Sequence, residues 1–168
     1  STFFIIACEQ SADNHGAVLM QSIQGLMPEA IFTGIGGKKM IGAGLQSLED
    51  IDKLAIMGFV EVIKHLSFFI ELTNRILENI KSVQPVQIIL IDYPGFNLRL
   101  AKKIKKSFDI PITYYISPQL WAWKENRIEI IRRYIEQMLV IFPFEESWYK
   151  ERGIRAKFVG HPIFDEWT

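Results

Sequence analysis

The sequence contains almost no cysteine and has no excess of charge of either sign. Its single cysteine, Cys8, among 168 residues excludes a disulfide framework and a cysteine-rich metal site, and it fits a reducing compartment. Nineteen basic residues are balanced by nineteen acidic ones. Because neutralisation of phosphates dominates nucleic-acid affinity, this balance predicts no nucleic-acid partner.

Long hydrophobic runs and common catalytic signatures are missing as well. No apolar run approaches the roughly 20 residues of a membrane-spanning helix. The opening stretch STFFIIACEQ carries no basic leader and has the pattern of a buried strand, so a cytoplasmic protein is expected. No spacing of histidine, cysteine and acidic residues indicates a metal site, and no G-x-S-x-G motif indicates a nucleophilic serine. We therefore expect no metal and no cofactor.

Short apolar runs alternate with helical patterns along the chain. The runs that predict strands cover residues 3–8, 31–35, 87–92, 112–117, 137–142 and 156–160. The helical patterns cover 14–26, 38–43, 56–83 (one helix, or two meeting near Ser67), 97–107, 125–134 and 145–151. This alternation predicts an α/β fold, a three-layer Rossmann-like domain with a mostly parallel sheet. No repeat or linker interrupts it, so residues 1–168 are expected to form one domain.

Polar clusters follow the predicted strands, and in such sheets ligands bind beyond the carboxyl ends of the strands. The first cluster, EQSADNHG, contains Glu9, Ser11, Asp13 and His15. Ser11 or Asp13 is suited to cap the following helix, whereas the N-terminus of that helix also attracts an anionic ligand. His15 is either a general base or a residue of the helix surface. Both interpretations stay open.

The stretch GIGGKKM, residues 34–40, matches a dinucleotide-binding fingerprint only in part. Lys39 occupies the third glycine position, and no acidic residue ends a following strand at the right spacing. This excludes NAD binding, and a tight turn is the simpler interpretation of the glycines.

Asp92 ends a very apolar predicted strand in the motif IDYPGFN. A carboxylate in that position is costly unless it is hydrogen-bonded or faces a cleft. In a partly desolvated cleft its pKa rises toward the range needed for proton abstraction. The alternative is a carboxylate that holds the turn by accepting N–H bonds. The apolar strand that leads to Asp92 favours catalysis. Asn97 is expected to cap the next helix and is also a candidate substrate-binding residue.

Residues 56–72 are more apolar than one face of a helix requires. Core packing explains most of this, and the surplus is expected to form a patch for acyl chains or a membrane surface. The residues expected in the patch are Met57, Phe59, Val60, Phe68 and Phe69. The lysines of KKIKK, residues 102–106, are either a solvated helix face or a contact for anionic headgroups.

The stretch SPQLWAWKENR places Trp121 and Trp123 just after a predicted strand. Two residues apart, their side chains face one side of an extended segment. They form either a wall beside a sugar or acyl chain, with Ser117, Gln119 and Arg127 as polar anchors, or a plug between the strand and the next helix.

The clusters PFEE and GHPIFDE follow the last two predicted strands. They contribute Glu145 and His161 as candidate substrate-binding residues. His161 is suited to donate a hydrogen bond to a phosphate or sugar, and a local backbone bond is an equally good interpretation.

Several blocks together resemble the lipid-A-disaccharide synthase family over nearly the whole chain. They are CEQSADNHGA, GIGGKKM, LAIMGFVEVI, IDYPGFNLRLAKKIKK, YYISPQLWAWKENR, PFEESWYKERGI and KFVGHPIFDEW. The blocks SPQLWAWKENR, LAIMGFVEV and VGHP are quite specific to this family.

The resemblance implies an inverting glycosyltransferase of the glycosyltransferase-B fold, which works without a metal ion at the cytoplasmic face of the inner membrane. It implies transfer of 2,3-diacylglucosamine from UDP-2,3-diacylglucosamine to 2,3-diacylglucosamine 1-phosphate, with release of UDP. The N-terminal domain is then expected to hold this acceptor, and the C-terminal domain the UDP-sugar. The aspartate of the family's ID-x-P motif, its candidate general base, falls on Asp92.

Two departures from the family pattern bear on activity. Cys8 and Ala12 stand where glycines are usual, and their side chains would clash if those positions needed a positive φ or let a ligand pass close. The chain stops at Thr168, before an expected second domain, so it is predicted to be an acceptor-side half that is inactive alone. The alternatives are a non-catalytic lipid- or membrane-binding scaffold, which Cys8 and Ala12 favour, and another nucleotide-sugar enzyme of similar fold.

Overall fold

The structure is a computed structural model that describes residues 1–54, 66–119 and 127–167, with side chains as far as residue 164. Its strands are β1 (Thr2–Ala7), β2 (Ile31–Ile35), β3 (Leu45–Ser47), β4 (Gln87–Ile91), β5 (Ile112–Tyr115), β6 (Gln137–Val140) and β7 (Ala156–Phe158). Its α-helices are α1 (Gln10–Leu26), α2 (Lys38–Gly42), α3 (Leu66–Val83), α4 (Pro94–Ser107), α5 (Ile128–Tyr134) and α6 (Pro143–Lys150). Residues 51–54 are also helical, and a 3-10 helix covers Pro162–Trp167.

The strands form one seven-stranded sheet in the order β3-β2-β1-β4-β5-β6-β7. The pairs β1–β2, β2–β3, β5–β6 and β6–β7 are all parallel. The predicted α/β, Rossmann-like fold is therefore confirmed. Sequence reasoning missed β3, because this edge strand has three residues and buries only Leu45, so it carries no apolar run.

The chain divides into two compact units, Ser1–Ile88, called here the N-terminal unit, and Ile89–Thr168, called the C-terminal unit. Strands β1, β2 and β4 are buried over most of their length, as expected of a covered parallel sheet. The fully buried apolar side chains of the N-terminal unit include Phe4, Ile5, Ile6, Met20, Phe32, Ile35, Met40, Leu72, Ile76 and Ile80. Those of the C-terminal unit include Leu90, Ile91, Ala101, Ile104, Ile112, Ile131, Met138 and Val140. The prediction of a single domain over residues 1–168 stays a prediction.

Two helices begin earlier than their hydrophobic patterns predicted. Helix α1 begins at Gln10 rather than at residue 14, because Glu9 has the extended backbone of an N-cap and the helix continues directly from it. Helix α4 begins at Pro94 rather than at Asn97, and proline is favoured in the first helical turn. Asp13 and Asn97 consequently lie inside helices, and the prediction that Asn97 caps α4 is wrong.

Strands β1 and β2 approach each other closely at Gly34. This residue has a φ of 141°, and a Cβ at its position would overlap the carbonyl oxygen of Ile5. Nearby, Met40 is fully buried in a space that exists because Gly16 and Gly36 have no side chains. The glycines of GIGGKKM are therefore required for packing, and their interpretation as a tight turn stays a prediction.

We expect Gly34→Ala to destabilise the chain by about 3 kcal/mol or more, from backbone strain plus steric overlap with Ile5. Gly25→Ala is the matched control, because Gly25 lies in α1 and a Cβ there meets nothing within 4 Å. The control is expected to change the free energy of unfolding by no more than about 1 kcal/mol. Urea unfolding measures the stability of both variants. Equal stabilities would contradict the close approach of β1 and β2 at Gly34.

Candidate functional site

The cluster after β1 has one buried member and three more accessible ones. Glu9 and Ser11 are exposed at the start of α1, and His15 is half-buried one turn further along. The Glu9 side chain makes no capping hydrogen bond. Ligand binding by Glu9, Ser11 and His15 stays a prediction.

Asp13 is buried, and its carboxylate binds the start of α2. It accepts hydrogen bonds from the backbone N–H groups of Gly37 at 2.8 Å, Lys39 at 3.1 Å and Met40 at 3.0 Å. A carboxylate that accepts several backbone N–H bonds satisfies donors that a helix N-terminus leaves unpaired. Asp13 thus caps a helix, but it caps α2 rather than its own helix. The absence of a side chain at Gly37 permits this contact, because a Cβ there would lie 2.6 Å from Asp13 Oδ2.

A cavity of about 660 Å³ lies beside this capping contact in the N-terminal unit. Its wall carries both signs of charge, with Lys38 and Lys39 on one element and Glu49, Asp50 and Asp52 on another. Burial alone would raise the pKa of Glu49, but the N–H of Asp50, then the Arg75 guanidinium and Lys53, outweigh it and hold that pKa below its usual value. The mixed lining favours a polar ligand and selects no particular charge.

Cys8 and Ala12 are accommodated without strain. Cys8 is buried and Ala12 is almost fully buried, and neither has a positive φ. Burial, assisted by the neighbouring Glu9 carboxylate, raises the pKa of the Cys8 thiol to about 12. The thiol is therefore protonated and unreactive at neutral pH. The clash expected from a positive φ therefore does not occur, and a clash with a ligand passing close to these side chains stays a prediction.

In the C-terminal unit, Asp92 follows β4 and is half-buried. Asp92 and Tyr93 both have left-handed backbones, with φ values of 49° and 45°. The backbone N–H of Asp92 donates to the carbonyl of Tyr115 at 2.9 Å. Asp92 thus lies at the carboxyl end of its strand, as predicted, and its catalytic role stays a prediction.

Asn97 is completely buried and acts on the backbone before it. Its Nδ2 donates to the carbonyl oxygens of Asp92 at 2.8 Å and Ile91 at 3.2 Å. The Tyr114 hydroxyl donates to the same Asp92 carbonyl. Direct substrate contact by Asn97 therefore has no support in this arrangement. No sequence signal indicated Tyr114, which lies in an ordinary strand pattern.

The residues of SPQLWAWKENR that the structure describes are divided between core and surface. The buried Ser117 hydroxyl shares a hydrogen bond with the Tyr149 hydroxyl and donates to the Pro118 carbonyl at 2.9 Å. Burial, partly offset by this bond, raises the pKa of Tyr149 to about 12. Gln119 is exposed, and Arg127 is half-buried at the start of α5. Trp121 and Trp123 lie outside the described residues.

Glu145 and His161 both bind nearby backbone. The buried Glu145 carboxylate accepts the N–H of Phe142 at 3.1 Å and so closes the first turn of α6. Nδ1 of His161 accepts the N–H of Ile163 at 3.2 Å, and the ring contacts Phe142 and Phe164. The bond from Ile163 is the local backbone bond predicted as one of the two roles of His161, and the other role, binding a phosphate or sugar, stays a prediction.

The first turns of α3 expose apolar side chains. Leu66 is 54% exposed and Ile70 is 48% exposed, whereas Phe68 and Phe69 are half-buried. Met57, Phe59 and Val60 lie outside the described residues. Within the described ranges no helix is long and apolar enough to cross a membrane, and no three histidine, cysteine or acidic side chains are grouped to hold a metal ion.

Comparison with known proteins identifies the family. The model of the lipid-A-disaccharide synthetase family matches residues 3–168. The chain belongs to this family. It is 43% identical over 163 residues to lipid-A-disaccharide synthase 1 of Legionella pneumophila. It is 44% identical over 165 residues to the lipid-A-disaccharide synthase of Trichlorobacter lovleyi, and 40% identical over 159 residues to that of Coxiella burnetii.

These alignments cover most of this chain and less than half of each relative. They include 97%, 96% and 95% of the chain for the Legionella, Trichlorobacter and Coxiella proteins respectively, and 42% of each of those proteins. The chain therefore spans about two fifths of the length of the curated relatives it matches.

We expect Asp13→Ala to lower the free energy of unfolding by about 3 kcal/mol, because three backbone N–H groups lose a charged acceptor. Ser11→Ala, at an exposed position of the same helix, is the control and is expected to stay within about 0.5 kcal/mol. Urea unfolding monitored by circular dichroism measures both. A loss below 1 kcal/mol for Asp13→Ala would show that the capping contact contributes little.

Proposed function

We propose that this chain is the acceptor-side part of a lipid-A-disaccharide synthase. The parent protein transfers 2,3-diacylglucosamine from UDP-2,3-diacylglucosamine to 2,3-diacylglucosamine 1-phosphate, forming a β-1,6-linked disaccharide and UDP. Family membership over residues 3–168 supports the reaction. The observation that carries the role of this segment is the half-buried carboxylate of Asp92 at the end of an apolar strand.

In this proposal Asp92 is the general base of an inverting displacement. It removes the proton from the 6-hydroxyl of the acceptor as that oxygen attacks the anomeric carbon of the donor sugar. The new bond forms on the face opposite the leaving group, the anomeric C–O bond to the diphosphate breaks, and UDP leaves with the electron pair. Donors that stabilise the negative charge on UDP are supplied by the remainder of the parent protein, in a second domain that completes a glycosyltransferase-B fold.

Among the described residues predicted to bind substrate, those near the surface remain the best candidates for acceptor contact. Glu9, Ser11 and Gln119 are exposed, and His15 and Arg127 are half-buried. Trp121 is proposed to contact the acceptor from the segment outside the described residues. Because the donor site is expected elsewhere, the 168-residue chain is proposed to be inactive alone.

Because the substrates carry acyl chains, we propose that the protein contacts the cytoplasmic surface of the inner membrane. Leu66 and Ile70 lie one helical turn apart and are both about half exposed, so the first turns of α3 present an apolar face. An exposed apolar face of this kind is suited to acyl chains or the lipid surface.

The scaffold alternative loses the part of its support that came from a positive φ in the first loop. It rested on Cys8 and Ala12 distorting the first loop, and both side chains are buried without a positive φ. The catalytic proposal is therefore preferred.

In the full-length protein, Asp92→Asn is expected to lower kcat by about 10²- to 10⁴-fold with little change in KM, because the base is lost and its shape is kept. Asparagine also tolerates a left-handed backbone, so this change adds no strain. Asp109→Asn, an exposed aspartate after α4, is the matched control and should leave kcat unchanged. Formation of the disaccharide from the two purified substrates measures both. A near-normal kcat for Asp92→Asn would remove Asp92 as the base.

Binding to vesicles of phosphatidylethanolamine and phosphatidylglycerol tests the apolar face of α3. Leu66→Ser combined with Ile70→Ser is expected to weaken sedimentation with these vesicles about tenfold or more, because two apolar side chains no longer enter the lipid. Leu26→Ser is the control, since Leu26 is 86% exposed at the end of α1. Equal binding by all variants would place the membrane contact elsewhere.

A further inference from the structure

Two consecutive residues of the C-terminal unit hold a backbone conformation that ordinary side chains avoid. Asp92 and Tyr93 both have φ values in the left-handed region, and neither is a glycine. Each such residue costs about 1–2 kcal/mol. A strained conformation of this kind persists only where the surrounding bonds determine it, and it is enriched at functional sites.

The bonds that determine it converge on one carbonyl oxygen. The peptide carbonyl of Asp92 accepts a hydrogen bond from Asn97 Nδ2 at 2.8 Å and another from the Tyr114 hydroxyl. The same Asn97 amide group also donates to Ile91. The peptide that joins Asp92 to Tyr93 is therefore held by side chains from two different elements, helix α4 and strand β5.

Neither donor is placed to contact a substrate itself. Asn97 and Tyr114 are both 0% exposed. Among the described residues, Asn97 Oδ1 has no hydrogen-bond partner. An unpaired buried acceptor is unfavourable, so the asparagine is retained here for its donor group.

We propose that Asn97 and Tyr114 are positioning residues that set the direction of the Asp92 carboxylate by clamping the Asp92 carbonyl. This rests on the proposed function of Asp92 as the general base. The φ of Asp92 determines where its Cα–Cβ bond leaves the end of β4. If the peptide relaxes to an ordinary conformation, the carboxylate moves, and a displacement of about 1 Å can cost about 10²-fold in rate.

Tyr114→Phe in the full-length protein is the main test, because it removes one hydroxyl and keeps the ring. We expect kcat to fall about 10- to 100-fold while KM stays unchanged. A crystal structure of the variant should show the φ of Asp92 outside the left-handed region. Thr73→Val is the matched control, since the buried Thr73 hydroxyl also donates to a backbone carbonyl, that of Phe69 at 2.8 Å. It is expected to lower Tm similarly and to leave kcat unchanged.

Asn97→Asp is the second variant, because it replaces the donor with an oxygen of nearly the same size. The expected result is again a lower kcat at unchanged KM. Gln24→Glu is its control, since the amide of Gln24 donates to the carbonyl of Ala43 at 3.0 Å far from Asp92 in the sequence. Should Asn97→Asp fail to fold, Tyr114→Phe alone decides.

The same changes in an Asp92→Asn background show whether they act through Asp92. If they do, Tyr114→Phe lowers the residual rate no further. If Asp92→Asn is inactive while a folded Tyr114→Phe variant keeps its kcat, the clamp proposal is wrong. The assignment of Asp92 as the general base is then retained. If Asp92→Asn keeps its activity, the proposed function has failed, and the clamp has no catalytic role. If adding Tyr114→Phe to the Asp92→Asn variant lowers the residual rate further, the clamp is also overturned.

Discussion

A parallel sheet that is covered on both faces leaves polar side chains room only where its strands end. In this chain the strands are apolar along most of their length, and the polar residues of interest follow β1, β2, β4, β5, β6 and β7. This constraint is why alternation of apolar runs was enough to suggest where ligands would bind. It also means that buried polar groups near the strand ends need partners, because backbone and carboxylate groups there are partly withdrawn from water.

Those partners divide the candidate residues into two groups. Asp13, Asn97, Ser117 and Glu145 are buried, and each one binds backbone or another buried hydroxyl. They shape the loops at the strand ends. Glu9, Ser11 and Gln119 are exposed and lie on the segments that the buried residues hold. Ligand binding by the exposed residues stays a prediction.

Local pattern was sufficient for every described strand except β3 and for the position of Asp92, because period and burial are properties of short segments. It was insufficient for Asp13, whose hydrogen-bond partners lie 24 to 27 residues away on α2. It was also insufficient for Tyr114, which meets Asp92 from a strand 22 residues further along the chain. Such contacts depend on how elements pack, and a single sequence carries no direct signal for packing. The start of α1 was missed for a different reason, because its first turn is polar and has no apolar period.

The space around Met40 is left by two glycines, Gly16 on α1 and Gly36 just after β2. A Cβ at Gly36 would lie 2.6 Å from the Met40 sulfur, and a Cβ at Gly16 would meet the same atom. The side chain at position 40 therefore fills the volume that the two glycines leave empty. A larger residue at either glycine requires the Met40 side chain to shift or position 40 to become smaller, and at position 36 the Leu45 side chain must also move. Within the family, these three positions are thus expected to vary together, because they share one volume between α1, α2 and the segment that follows β2.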